Sequence, residues 1–324
     1  MSSSKIEKYV DIYEELKREM KWKVMDNRIL MTIASLYVMN DRAFHLERLL
    51  QLADKIKKRA GIFSSMRSHP RYTTAALFDV KTEEPETKIN DLFSLYKEFR
   101  HAKFKSGVYT YLAASTLFTQ DLPSSDAKGI INKTSTIYEG MKKEHPFLTG
   151  TSDYPLAVLL ALEERPGMIE IMETYYDQLS KNGFTKGNDL QFLSHILSLS
   201  SKENHQTLVQ RAADVFQAFK QEGIKPKTMY YPVIGMLALS SDLFEMKAIR
   251  EMYEEMNDVK HFKWQKDMNV IMAVSFYINE KMDQNSLPET SLYTALESIL
   301  QAQQAVMIAA MTASAAAATS SSNN

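Results

Sequence analysis

The chain has 324 residues, with 39 Lys and Arg against 40 Asp and Glu, 44% apolar residues, ten Gly, nine Pro and no Cys. This lies well away from disordered composition, and without cysteine there is no disulfide, thiolate nucleophile or Cys-ligated zinc. Few Gly and Pro, many Leu, Met, Ala, Glu and Lys, and no sustained period-2 alternation point to an all-α chain.

The first residues run straight into charged amphipathic sequence without the apolar core of an export signal, and no apolar run reaches the roughly 18–20 residues that span a bilayer. The expectation is a cytoplasmic protein with no membrane span. Ile6, Val10, Tyr13, Leu16 and Met20 mark one face of an N-terminal helix, and residues 27–39 a second, both capping elements. Residues 55–59, four cations in five, read as a solvated helix end. Phe63 reads as an apolar anchor beyond that helix, residues 69–78 as its partner helix and residues 81–86 as a long exposed loop.

From there a repeat is visible. An apolar residue is followed at i+3, i+4 and i+7 by an apolar, an aromatic and an apolar residue, the buried stripe of a helix A. The aromatics Tyr96, Tyr138, Tyr176, Phe216 and Tyr253 advance by 42, 38, 40 and 37 residues. Eight or nine residues after each comes an anchor, Phe104, Phe147, Phe184, Ile224 and Phe262, preceded twice by glycine in the pattern of an αL helix stop. A more uniformly apolar helix B follows each anchor, over 109–118, 154–162, 190–199, 230–239 and 268–276. Pairs repeating in this way cannot bury their faces alone and must stack on their neighbours. The expected architecture is an α-solenoid of about six hairpins with atypical capping helices. It forms one elongated domain over 1–286, then a C-terminal helix over 287–312 and a disordered Ala/Ser/Asn tail over 313–324.

Charge is not spread evenly over this repeat. The nine-residue windows centred on the six anchors hold fourteen Lys and Arg but three Asp and Glu. Helix C-termini favour cations by roughly 0.3–1 kcal/mol each and every helix A ends at these turns, which is one reading of the bias; it is incomplete because the B helices begin there and favour anions, and an anion-recruiting ridge is the other reading. A basic edge along the A-to-B turns is expected, with Arg100, His101, Lys103, Lys105, Lys225, Lys227, Lys260, His261 and Lys263 as candidate partner-binding residues. The segment 145–155 is the sharpest local candidate: His145, Ser152 and Asp153 offer an imidazole, a hydroxyl and a carboxylate for a polar ligand, or a helix cap.

The sequence has no Gly-rich phosphate loop, His-Glu-x-x-His, Gly-x-Ser-x-Gly or EF-hand loop. No catalytic residue, metal site or cofactor is therefore expected. The leading reading is a non-catalytic helical-repeat protein that binds a protein partner. The alternatives are RNA or single-stranded nucleic acid held along the basic edge, and an enzyme or small-ligand binder built on the 145–154 loop.

The stretch from His145 through Thr149, Asp153 and Tyr154 to Ala161, with Tyr109 to Ala114 before it and Gln301 to Ala305 near the end, resembles an uncharacterised protein family of Bacillus-type Gram-positive bacteria. That resemblance implies a bacterial protein and brings no known activity or cofactor. Phe216 to Tyr231, continuing to Tyr253 and Met256, is similar to the helix–Gly–Pro–Tyr pattern of pentatricopeptide and related tetratricopeptide-like repeats. Pentatricopeptide repeats read RNA one base per unit, which is what the similarity implies.

Overall fold

In the computed structural model the described residues are 2–120, 124–200, 204–240 and 244–283. They form fourteen α-helices and no strand. The expected helix over 287–312 and the tail over 313–324 lie outside the described residues. The chain divides into two compact units, between Ala127 and Lys128.

The first unit contains α1 (Ser2–Met20), α2 (Asn27–Met39), α3 (Leu46–Arg59), α4 (Pro70–Lys81), α5 (Pro85–His101) and α6 (Val108–Phe118). Each odd-numbered helix packs on the even-numbered helix that follows it, α2 packs on α4, and α3 on α5. The sequence dictates this division of labour. Helix α3 buries Leu49, Leu52, Ala53 and Ile56, an i, i+3, i+4, i+7 stripe, and leaves its charges on the other side. Helix α2 buries Ile29 through Val38 without interruption, so it needs neighbours all round. Each large apolar side chain so buried contributes roughly 1.5–3 kcal/mol.

One buried charge fixes three helices of this unit together. The Asp79 carboxylate on α4 is almost fully buried, accepts from the Tyr37 hydroxyl of α2 at 2.7 Å and pairs with the Arg48 guanidinium of α3 at 2.5 Å. Burial, reinforced by this hydrogen bond, pushes the Tyr37 phenol far above its usual range.

The second unit holds most of α7 (Ser124–Glu144), then α8 (Tyr154–Leu162), α9 (Met168–Lys181), α10 (Asn188–Ser198), α11 (His205–Gln221), α12 (Tyr231–Leu239), α13 (Met246–Asp258) and α14 (Lys266–Asp283). Here α9 packs on α10, α11 on α12 and α13 on α14, while α8, α10, α12 and α14 pack one on the next. Helix α8 buries every residue from Tyr154 to Ala161. Close approach of α12 to α10 depends on Gly235: a Cβ there would lie 2.8 Å from Leu193 Cδ1 and 3.0 Å from Ile196 Cγ2.

The repeating aromatic has a consistent partner. Tyr96 stacks on Tyr111 with centroids 3.8 Å apart, Tyr138 meets Tyr154 edge-on at 4.8 Å and Phe216 meets Tyr231 at 6.4 Å. In each case a residue of an odd-numbered helix covers the first turn of the helix that follows. Thr134 stands four residues before Tyr138, where the repeat otherwise sets an apolar residue; it is fully buried and donates its hydroxyl to the Ile130 carbonyl at 2.8 Å.

Three expectations need correction. The loop expected over 81–86 shrinks to residues 82–84, because Pro85 fits the first turn of α5, where its missing N–H costs nothing. Helix α14 runs to Asp283 rather than stopping near Phe276. Phe104, Phe184, Ile224 and Phe262 are buried anchors, but Phe63 and Phe147 are fully exposed.

The reason for the last difference is local. In three turns the anchor N–H reaches back to the helix, Phe104 to the Phe99 carbonyl at 3.1 Å, Phe184 to Leu179 at 3.2 Å and Ile224 to Phe219 at 2.9 Å. The residue before the anchor is then left-handed: Lys103, Gly183 and Gly223, with φ of 68°, 90° and 74°. Helix α3 instead ends in extended Ala60, and α7 is followed by Pro146, so neither chain reverses there. Met66 and Thr149 fill the interior that Phe63 and Phe147 leave.

Candidate functional site at the inter-helix turns

The turns that follow odd-numbered helices meet side by side within each unit. In the first unit the Lys23 backbone lies close enough to the His69 imidazole to favour its charged form, against the burial and the Arg71 charge that lower it, so the turn after α3 adjoins the turn after α1. Ser64 Oγ and the Tyr111 hydroxyl, 3.1 Å apart, join it to the start of α6. In the second unit Gln191 Nε2 donates to Thr149 Oγ1 at 2.8 Å, the Thr185 N–H to the Tyr231 hydroxyl at 2.9 Å, and Lys227 Nζ to Asp267 at 2.6 and 2.8 Å. Each bond links one turn to the helix pair that comes next.

The candidate cations fall on these turns in different roles. Arg100 turns its guanidinium back onto the Phe104 carbonyl, and the Lys105 carbonyl accepts from Thr110 Oγ1 at 2.5 Å. His101 and Lys103 are exposed, as are Lys225, Lys260, His261 and Lys263. Lys263 lies over the Trp264 ring, 5.3 Å from its centroid. Lys227 is held by Asp267, whose oxygen also accepts from the Tyr230 hydroxyl at 2.5 Å. Partial burial pushes the Asp267 carboxyl up, but the Lys227 and Tyr230 hydrogen bonds outweigh it and hold the group below the usual carboxylate range.

The turn over 145–154 spends its polar groups on the fold. His145 Nε2 sits 3.0 Å from Glu173 and its ring packs 4.5 Å from Tyr176. Burial raises Glu173 above its ordinary value, and His145 partly offsets that. Asp153, buried in a one-turn helix with half-buried Ser152, accepts from the Gly150 N–H at 2.8 Å. Burial pushes its carboxyl up to about 6, against the two backbone hydrogen bonds that lower it. Beneath this turn, fully buried His195 is driven down to about 3, by burial first and then by the charge of His145. Among the described residues no group of three His, Asp or Glu side chains is placed to hold a metal ion.

What residue-by-residue reading of the sequence missed is the apolar content of the same turns. Among the described residues, the exposed large hydrophobics are Trp22 (88%), Met25 (87%), Ile62 (81%), Phe63 (102%), Phe147 (98%), Met229 (41%) and Trp264 (82%), and every one lies in a turn after an odd-numbered helix. A signal was present: Lys21-Trp22-Lys23 and Lys263-Trp264 set a bulky ring beside lysines, off the end of the buried stripe. Amphipathic burial cannot use a residue in that position.

No described helix is long and apolar enough to cross a membrane. No solved structure matches the chain. The protein described as uncharacterized protein YeaA of Bacillus subtilis (strain 168) is 38% identical over 313 residues, which is 96% of this chain and 94% of that protein. The family described as a protein of unknown function (DUF4003) matches residues 12–305, and with both matches spanning nearly the whole length, the chain belongs to that family.

Proposed function

We propose that the protein is a non-catalytic α-solenoid of the cytoplasm that holds a protein partner on the A-to-B turns of its second unit. The packing of α8, α10, α12 and α14 one on the next, with odd-numbered helices outside them, supports the solenoid reading.

One observation carries the choice of surface. Trp264 is exposed beside Lys260 and Lys263, on a turn tied to its neighbour through Lys227 and Asp267. An aromatic ring ringed by mixed charge is what protein interfaces use as an anchor, since a ring buries much area at little entropy cost while the charged rim sets register. In the second unit the segments 142–153, 181–189, 220–231 and 257–267 hold ten Lys and Arg with six Asp and Glu, a mixed rim with a basic excess.

The test is affinity capture from native extract with wild type and with a Lys225→Glu/Lys260→Glu/Lys263→Glu/Trp264→Ser variant. A discrete protein retained by wild type and lost by the variant is the expected result. Equal recovery by both removes this surface from the function. The nucleic-acid reading predicts nuclease-sensitive capture whose strength falls steeply with salt.

A further inference from the structure

We propose that the turns of the first unit dock on an anionic lipid bilayer, a function that goes beyond the protein-binding role of the second unit and does not depend on it. The observation is the chemistry of three adjoining turns. Segments 21–28, 57–71 and 100–107 together hold eleven Lys and Arg and a single acidic residue, Asp26. Asp26 is already paired with Arg28, at 2.6 Å. These segments adjoin through the Ser64 hydrogen bond to Tyr111 and through His69, whose imidazole feels the Lys23 backbone.

Set among those cations are Trp22, Met25, Ile62 and Phe63, all almost completely exposed. The placement of Ile62 and Phe63 is the most telling. The Ser64 N–H closes a turn onto the Gly61 carbonyl at 2.9 Å, which puts Ile62 and Phe63 at its two corners. Turn corners ordinarily take Gly, Pro, Asn, Asp or Ser, and two large apolar side chains there gain nothing from the fold. Interior packing at this turn is supplied by Met66, which is fully buried and accepts a weak hydrogen bond from Thr74 Oγ1 at 3.7 Å. The tip is therefore surplus to the core and offered outward.

The composition selects the occupant. Single-stranded nucleic acid stacks its bases on aromatic faces, but Met25 and Ile62 have no π face to offer. A protein rim would carry both signs of charge, as the second unit does, whereas this edge is close to uniformly positive. A bilayer accepts the whole set: aliphatic tips enter the acyl boundary, Trp sits at headgroup depth, and lysines and arginines meet lipid phosphates. Lys21 lies 5.5 Å from the Trp22 ring centroid, so ring and cation reach one surface together.

The two tryptophans of the chain are Trp22 and Trp264, so the full-length Trp264→Phe variant leaves Trp22 as sole fluorophore. Its emission and co-sedimentation are read with vesicles of phosphatidylcholine alone, vesicles containing phosphatidylglycerol, and poly(U) without lipid. The expected result is a blue shift and sedimentation with phosphatidylglycerol vesicles only, weakened by added salt. Ile62→Ser/Phe63→Ser in the same background should lower partitioning about tenfold or more with thermal unfolding unchanged, because neither side chain packs in the fold. Equal partitioning of that double variant, equal binding to neutral vesicles, or a Trp22 response to poly(U) and not to vesicles would each overturn the proposal. Loss of vesicle binding leaves capture of a protein partner by the second unit unaffected, so the two functions fail separately.

Discussion

Lys227 and Asp267 meet across forty residues of chain, with the ammonium donating to both carboxylate oxygens at 2.6 and 2.8 Å. The contact ties the turn after α11 to the first turn of α14, and it uses a lysine that the sequence marks as a candidate for partner binding. Both side chains are partly exposed, so the pair is worth at most about 1 kcal/mol. Asp267→Asn should lower stability by no more than that. Because the folded carboxyl is held below its ordinary value, its contribution is present above the unfolded range and lost as pH falls through the folded one. Denaturant titrations near neutrality should therefore separate wild type from variant, and titrations in strong acid should superimpose them.

Lys103 has φ of 68° where the equivalent turns use Gly183 and Gly223. A left-handed residue with a Cβ costs roughly 1–2 kcal/mol, and glycine removes that strain while adding some unfolded-state freedom. Lys103→Gly should stabilise the protein by about 0.5–1 kcal/mol in chemical denaturation, and Gly223→Ala should destabilise it by about 1 kcal/mol or more.

Two glycines in helices should respond in opposite directions. Around Gly129 on α7 a Cβ would meet nothing within 4 Å, so Gly129→Ala should gain about 0.5–1 kcal/mol from helix propensity alone. Gly235 faces Leu193 and Ile196, and Gly235→Val should cost about 2–3 kcal/mol by forcing α12 away from α10. Thermal unfolding of the two variants beside wild type checks both.

His195 and Asp153 are shifted by burial in opposite directions. The histidine falls from 6.5 unfolded to about 3 folded, so the unfolded chain binds the extra proton in that window and stability drops as pH falls, by up to about 1.4 kcal/mol per unit. The carboxyl rises from 3.8 to about 6, so the folded chain binds the extra proton between those values and stability drops as pH rises. Relative to wild type, His195→Gln should flatten the acid limb between pH 6.5 and 3, and Asp153→Asn should steepen it between 3.8 and 6. Urea midpoints measured across that range report both slopes.

The all-helical fold was legible because apolar spacing alone fixes which helices carry one buried stripe and which are buried all round. The stretch Phe216 to Tyr231 folds as the end of α11, its Gly223 stop and the start of α12. Individual turns were less legible. Phe63 and Phe147 have the right residue type at the right distance, yet the left-handed reversal that precedes buried Phe104, Phe184 and Ile224 is missing after Ala60 and Pro146, while Phe262 is buried without one, beyond the extended Val259. Edge chemistry was half legible: the cations cluster visibly in the sequence, while Trp22, Ile62 and Trp264 look like core residues by type and only the fold sets them at exposed turn tips.

Everything functional proposed for this chain needs the turns after odd-numbered helices to lie side by side within each unit. The chain has no cysteine, so introduced pairs can be cross-linked without background. A short bismaleimide should close Lys23→Cys with His69→Cys in the first unit and Lys227→Cys with Asp267→Cys in the second, as intramolecular products seen by gel mobility and peptide mass. Lys227→Cys with Glu245→Cys, at opposite ends of α12 and about 13 Å or more apart along its axis, should remain open. Closure of that control pair with failure of the two turn pairs would contradict the account.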